Sequence, residues 1–287
     1  MATVLFLPRP TWAIPIQVGS VSIEPAEEIK KFLPLAAYLA KELQPEGFDQ
    51  GKVVVAKSIS EMAGFLREGK VALYIDSPFP ALAASRLAGS KFLLRRWKKG
   101  AAEYHSVIFA KKNSGINRLE DLKGKIVAFE EPFSSSGYFL PKLLLVQKGL
   151  KLAPKMEASE PVAPSEVGYV FTNDDGNTMV WVLRGKVVAG AMDYASYEKE
   201  ARADLSNLKI IGKTFSLPRQ IVSYRADLPA KLVARIKEIL TKMDQSAEGR
   251  KTLQDFEKTI KFDELPDQSM AALSKARQFL DSEFRAK

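Results

Sequence analysis

The chain reads as an α/β protein. Short apolar, β-branched runs alternate with segments that carry the helical apolar period. Gly, Pro and polar clusters punctuate most changes from one to the other. The run Val187–Met192 is apolar throughout, as expected of a strand covered on both faces. Alternation of this kind predicts parallel sheets joined by right-handed crossovers. No period of solenoid length occurs.

Taken in order, Ile16–Val21 is the first predicted strand. Ala26–Leu43 is a predicted helix, with Ile29, Phe32, Leu33, Ala36, Ala37, Leu39 and Ala40 on one side and Pro45-Glu46-Gly47 as its breaker. Lys52–Ala56 is β-branched and reads as a strand. Ser58 followed by Glu61 is a capping-box spacing, which starts a helix through Met62, Phe65 and Leu66 that ends at Gly69. Val71–Ile75 is a strand, Ala81–Leu87 a short helix and Ser106–Lys111 a strand. Beyond it come one helical turn at Leu119–Lys123, a strand at Lys125–Phe129 and a helix over Gly137–Gly149. Val167–Phe171 (strand), Asn177–Arg184 (helix) and Val187–Met192 (strand) continue the alternation. Leu208–Gly212 and Gln220–Tyr224 are strands, and Ala230–Met243, Arg250–Thr259 and Gln268–Phe284 are helical.

Composition excludes several functions. The 287 residues include 43 Lys+Arg, 34 Asp+Glu, one His and no Cys, for a formal charge of +9. Without Cys there is no thiol nucleophile, disulfide framework or Cys-based metal site. One imidazole rules out a two-His metal centre, and a Ser-His-Asp triad would have to use His105. No nucleophile–base pair, Gly-rich nucleotide loop or metal-ligand spacing is present, so an enzyme is the least supported class, and neither cofactor nor metal is expected. The densest basic clusters, Arg95-Arg96 with Lys98-Lys99 and Lys111-Lys112, read as solvated surface, because elsewhere Lys and Arg alternate with Glu and Asp. No basic stripe with interleaved aromatics suggests nucleic acid. Residues 1–15 hold a short apolar run, Val4–Leu7, too short to span a bilayer and lacking a basic flank; they read as a signal remnant or a disordered extension.

Parallel sheets bind ligands outside the carboxyl ends of their strands. The loops of interest are therefore Ser22–Pro25, Asp76–Pro80, Glu130–Ser136, Thr172–Asn177 and Asp193–Tyr194. The sequence Glu131-Pro132-Phe133-Ser134-Ser135-Ser136-Gly137-Tyr138 lies between a buried strand and a helix. Unpaired amides at a helix start, the helix dipole and three hydroxyls suit an oxyanion. Gly137 would let a ligand approach the backbone. A serine N-cap in a flexible loop is the plainer alternative. Asp76, Asp174 and Asp175 have two readings, helix capping or pairing with a ligand amine, and Ser22 and Ser77 stand beside strand ends. Tyr104 and His105 lie at an extended segment, and Arg219 would suit an oxyanion bidentately or stand exposed.

Three stretches together are more specific: Ser106–Ile116, Leu119–Phe129 and the triple-serine loop. They resemble the phosphate/phosphite/phosphonate-binding solute-binding proteins of ABC importers. Phe32-Leu33-Pro34-Leu35-Ala36-Ala37-Tyr38-Leu39 is similar to that family's first helix. Arg184-Gly185-Lys186-Val187 through Met192-Asp193 is similar to a helix, turn and strand of its second lobe, and Asp227-Leu228-Pro229 and Glu248-Gly249-Arg250 match its C-terminal third.

The resemblance implies a two-lobed type II periplasmic binding protein fold, each lobe a mixed, mainly parallel sheet flanked by helices, with the ligand cleft between them. Lobe 1 would be 16–104 plus 215–287 and lobe 2 would be 105–214, with crossings near Tyr104–Ser106 and Gly212–Pro218. It assigns ligand-binding roles to Ser134, Ser135, Ser136 and Asp193. Two positions depart from the family's pattern: Ala81 stands where a Tyr is usual, and Asp174-Asp175 where a Ser-His pair is frequent. The implied protein is a periplasmic or extracytoplasmic monomer that binds a small oxyanion for an ABC permease. A sensor of the same fold, presenting its ligand to a membrane histidine kinase, is the alternative. The ligand-binding set under this reading is Ser134, Ser135, Ser136, Asp193, Asp76, Ser77, Asp175, Ser22, Tyr104 and His105.

Overall fold

The computed structural model describes residues 14–285. The proposed leader or extension falls mostly outside the described residues. Ile14 and Pro15, which it included, instead belong to the first strand. The chain begins β1 (Ile14–Val21), α1 (Pro25–Glu42), β2 (Phe48–Ala56), α2 (Ile59–Arg67), β3 (Leu73–Asp76), α3 (Pro78–Ala88) and β4 (Lys91–Lys98). A two-residue strand β5 (Glu103–Tyr104) leads into β6 (Ser106–Lys111), β7 (Ile126–Phe129), α4 (Leu140–Gln147), β8 (Lys151–Pro154) and β9 (Glu166–Phe171). Then come α5 (Asp175–Leu183), β10 (Ala189–Asp193), α6 (Tyr194–Glu200) and β11 (Leu208–Lys213). The short β12 (Leu217–Pro218) returns the chain to β13 (Gln220–Tyr224), α7 (Ala230–Lys242), α8 (Ala247–Asp255), β14 (Thr259–Asp263) and α9 (Asp267–Arg285).

Two six-stranded sheets result, in the orders β14-β4-β13-β3-β1-β2 and β11-β6-β10-β7-β9-β8. β5 and β12 pair antiparallel to each other, Tyr104 opposite Leu217. This is the two-lobed type II architecture, with helices on the sheets. The strand directions are more mixed than mainly parallel. β1, β2 and β3 are parallel, as are β7, β8, β9 and β10. β6 and β13 run against both of their neighbours. The reason is topological: β6 and β13 each enter a sheet directly from the β5–β12 crossing, so they start at the end where β10 and β3 finish.

Local chemistry explains most of the elements. Ser58 caps α2 by accepting from the Glu61 amide at 3.1 Å, and the Glu61 carboxylate returns to the Lys57 amide at 2.7 Å. α1 buries Phe32, Leu35, Ala36, Leu39 and Ala40 against the first sheet. β2 comes so close that a Cβ on Gly51 would lie 2.1 Å from the Ala36 carbonyl oxygen. Only glycine permits that approach. Among the described residues, no helix is long and apolar enough to cross a membrane.

The basic cluster at 95–98 is not the solvated surface that charge patterning suggests; it is strand β4. Arg96 is fully buried. Its guanidinium donates to Thr259 Oγ1 (2.9 Å), the Phe256 carbonyl (2.9 Å), Glu257 Oε2 (3.2 Å) and Gln220 Oε1, and it covers the Phe256 ring at 3.5 Å. Arg95 grips Asp263 with two bonds of 2.9 Å. Lys98 pairs with Glu257 at 2.8 Å. Apart from Gln220 on β13, these partners are supplied by the turn after α8 and by β14, where a continuous helix to Thr259 was expected. The helix stops at Asp255, and Glu257 takes a left-handed φ of +51° in the turn.

Burial by itself would raise the Glu257 carboxyl, but Lys98 and Arg96 outweigh it and hold it at about 2. Folding therefore gains from Glu257 above the ordinary Glu range and loses that gain as pH falls through about 2. Arg96→Ala leaves part-buried Glu257 with Lys98 alone of its two cations and removes the donor to Thr259, Gln220 and the Phe256 carbonyl. It is expected to lower unfolding free energy by about 3–5 kcal/mol, seen as a shifted urea midpoint with unchanged slope. A shift near zero would show that the cluster does not hold β14 to β4.

Candidate functional site

The carboxyl ends of β1, β3, β7, β9 and β10 deliver the loops singled out by the sequence. The loop after β7 carries residues 130–136 and turns into a single π-helical turn, Ser135–Phe139, before α4. Phe139 holds it in place. Its ring stacks on Phe79 of α3 at 4.5 Å and meets Phe279 of α9 at 5.4 Å. Ser135 is thereby brought to the start of α3 and is 1% exposed. Its Oγ accepts from the Phe79 amide at 2.7 Å and donates to Ser77 Oγ at 2.9 Å. A loop on one sheet thus caps a helix start on the other.

The three serines differ in their surroundings. Ser134 Oγ donates to Glu130 Oε2 at 2.6 Å and accepts from the Gly137 amide at 2.9 Å, which is the N-cap arrangement. Ser136 is buried beside them. Gly137 is needed for a protein contact: a Cβ there would stand 2.4 Å from Glu130 Cβ and 2.6 Å from its carboxylate. The close approach expected of a ligand is made by Glu130.

Several aspartates act as organisers. Asp76 accepts from the Ser77 amide (2.6 Å), Tyr74 Oη (2.9 Å) and the Val21 amide (3.2 Å), tying the ends of β1 and β3 together. Asp174 caps α5 through the Asn177 amide at 2.7 Å. Asp193 caps α6 through the amides of Ala195 (3.1 Å) and Ser196 (3.2 Å) and the Ser196 hydroxyl (2.7 Å). The Ser22 hydroxyl accepts from the Glu24 amide in an exposed turn, and its amide donates to the Ala56 carbonyl. Asp175 differs: its Oδ1 is buried with no hydrogen-bond partner among the described residues.

Tyr104 and His105 lie at the crossing. Tyr104 is 8% exposed, and its hydroxyl has no partner among the described residues. Burial, opposed by the Arg219 charge, pushes that phenol up to about 12. The Arg219 guanidinium lies 4.5 Å over the Tyr104 ring. His105 stacks on Tyr194 at 5.2 Å, and burial with the Lys213 charge lowers its pKa. These groups border a cavity of about 340 Å³ that Asp193, Ser196 and Lys199 also line.

Glu130 and Glu131 belong to the singled-out loop, but their role was not legible in the sequence. Burial, with Glu131 and Asp193 nearby, raises Glu130. Burial and the charges of Glu24, Asp175, Asp174 and Asp76 push Glu131 up to about 7. Burial and Glu130 push Asp175 to about 7, and burial brings Asp76 to about 6. Glu131 and Asp175, at about 7, are partly protonated near neutrality, so each can donate as well as accept.

A raised carboxyl adds stability that is full below its unfolded value and vanishes as pH rises through the folded one. For Glu131 the window runs from the ordinary Glu range to about 7. Wild type is therefore expected to lose melting temperature between pH 5 and pH 8 relative to Glu131→Gln. Parallel melting curves for the two proteins would show that Glu131 carries no such strain.

A family model, described as "ABC transporter, phosphonate, periplasmic substrate-binding protein", matches residues 18–270. The tetrathionate sensor histidine kinase TtrS of Salmonella typhimurium is 26% identical over 198 residues, which is 67% of this chain and 31% of that protein. The chain thus spans about a third of that relative's length. Among solved structures, XAC2383 from Xanthomonas citri bound to chloride ion superposes with a TM-score of 0.89 at 22% identity, covering 95% of this chain and 99% of that one. PhnD1 from Prochlorococcus marinus in complex with methylphosphonate does so at 0.66 and 17% identity, covering 93% and 98%. These structural likenesses show the fold, which is that of binding proteins. With the family model matching over most of its length, the chain belongs to the phosphonate-binding family of periplasmic ABC-transporter substrate-binding proteins.

Proposed function

We propose that this protein captures a small oxyanion-bearing ligand, of the phosphonate, phosphite or phosphate class, between its lobes and presents it to an ABC permease outside the cytoplasm. The lobes are taken as 16–104 plus 215–287 and 105–214, hinged at the β5–β12 pair. The observation that carries this reading is Ser135, which engages the α3 start from the opposite sheet through Phe79 N and Ser77 Oγ. An oxyanion there would meet a helix N-terminus from one lobe and serine hydroxyls from the other, so binding and closure would be one event. Ser134, Ser136, Ser77 and Asp193 support that position, and Tyr104 and His105 border it from the hinge.

The surrounding carboxyls qualify the ligand. Fully ionised, they would repel an anion; partly protonated, they donate to it. The unpartnered Asp175 Oδ1 favours, within the class, a ligand that also carries an ammonium, as an aminoalkyl phosphonate does. No turnover is expected. A second reading, a ligand sensor for a membrane histidine kinase, is favoured by the likeness to TtrS. Ligand-dependent binding to a kinase ectodomain in place of a permease would select it.

Calorimetry with phosphate, phosphite, methylphosphonate and aminoethylphosphonate tests the site. Ser135→Ala is expected to weaken the tightest of these at least about tenfold, or about 1.4 kcal/mol, in a protein that stays folded, with the apo melting temperature lowered by the lost cap on the Phe79 amide. Binding should tighten from pH 8 to pH 6. An unaltered affinity in Ser135→Ala would remove the serine loop from the site.

A further inference from the structure

We infer that Phe133 is the positioning residue of the serine loop: a releasable anchor that docks on the first sheet and holds Ser134, Ser135 and Ser136 where the ligand is taken. This rests on the interlobe reading above and adds to it. The loop is built to present this side chain. The Ser134 amide donates to the Glu131 carbonyl at 3.0 Å, which closes a β-turn with Pro132 and Phe133 at its corners. A proline at the first corner has its φ already set for such a turn. The Glu130 amide donates to the Gly137 carbonyl at 3.1 Å and closes the loop at its base. Tied at both places, the loop moves as one body, so fixing Phe133 fixes the serines.

Phe133 leaves β7 of the second sheet but docks on the first. It packs against a cluster that includes Val21, Met62, Val71 and Tyr74, and all buried members of that cluster lie between Val21 and Ala84. The polar grip of the loop lands on the same place. Tyr74 Oη donates to Asp76 at 2.9 Å, the Ser77 amide donates to Asp76 at 2.6 Å, and Ser77 Oγ accepts from Ser135 at 2.9 Å. The Val21 amide joins the same carboxylate at 3.2 Å. Phe133 and Ser135 are thus two arms of one loop that meet at the ends of β1 and β3.

Phe133 differs from Phe139 in how firmly it is held. Phe139 is 3% exposed inside a cluster that draws on α3, α4 and α9, and it comes free only if that core opens. Phe133 is half-buried and packs on its cluster from outside. Apolar attraction scales with the area removed from water, so Phe133 is the weaker anchor and gives first. Its release frees the serines while Phe139 stays seated. A ligand gripped by the serines and the α3 start favours the seated form. A protein seated for only part of the time binds with an affinity reduced by that fraction.

The chain has no Cys, so Val21→Cys supplies a single thiol, at the most exposed buried member of the cluster. A thiol reagent is expected to label it at least about fivefold faster once Phe133→Ala removes the cover, and Phe133→Leu should restore most of the protection. Calorimetry with phosphate, phosphite, methylphosphonate and aminoethylphosphonate should show the tightest of them weakened at least about tenfold by Phe133→Ala and largely recovered by Phe133→Leu. The same compound should slow labelling of Val21→Cys when Phe133 is present and fail to do so in Phe133→Ala. Apo melting curves report that each variant is folded. Equal labelling with and without Phe133, or an unchanged affinity in Phe133→Ala, overturns the anchor. If none of the four compounds binds wild type, the oxyanion reading falls and labelling alone decides: faster labelling in Phe133→Ala upholds the anchor and equal labelling overturns it. If the anchor fails while Ser135→Ala still weakens binding, the oxyanion reading stands without it.

Discussion

The Phe139 ring, packed between Phe79 and Phe279, is the contact on which the candidate site depends. It joins α3 and α9, which flank the first sheet, to the loop that leaves β7 in the second. The cluster around it draws on elements of both sheets: Leu82, Ile221 and Leu273 on α3, β13 and α9, and Leu140 and Leu143 on α4. Burial of this kind supplies non-directional attraction. Direction comes from the polar bonds it shelters. Ser135 can reach Ser77 and the Phe79 amide only because Phe139, four residues on, is already seated.

Charge is partitioned in a way that the net value conceals. The protein is formally +9, yet Asp76, Glu130, Glu131, Asp175 and Asp193 gather at the ends of the strands. Several basic side chains near the hinge are absorbed in structural pairs, above all Arg95, Arg96 and Lys98 on β4. The local field at the strand ends is therefore set by these carboxyls and not by the net value. Their raised pKa values couple the stability of this region to pH.

The legible features were local ones. Ser58 and Glu61 announce a helix start because their hydrogen bonds close within four residues. Asp174, which had two readings, resolves as a cap for the same short-range reason, and Asp193, assigned to a ligand by the family resemblance, also caps the helix that follows it. β4 was missed because its Arg and Lys read as surface. Nothing within eight residues of Arg96 reveals that Thr259, 163 positions away, will accept its hydrogen bond. The helix expected through Thr259 fails likewise, since β14 exists to pair with β4.

By itself, then, the sequence determined the alternation of strands and helices, the loops where a ligand would be met, the absence of cysteine chemistry and the family. These follow from periodicity, composition and motifs that span a few residues. Tertiary structure decided which serine faces the other sheet, that Gly137 makes room for Glu130, and that Arg219 stands beside an unpartnered tyrosine. Burial and charge pairing are set by neighbours in space. The Ser135–Phe79 bond joins residues 56 apart, on elements of different sheets, and becomes visible only when both sheets are in place.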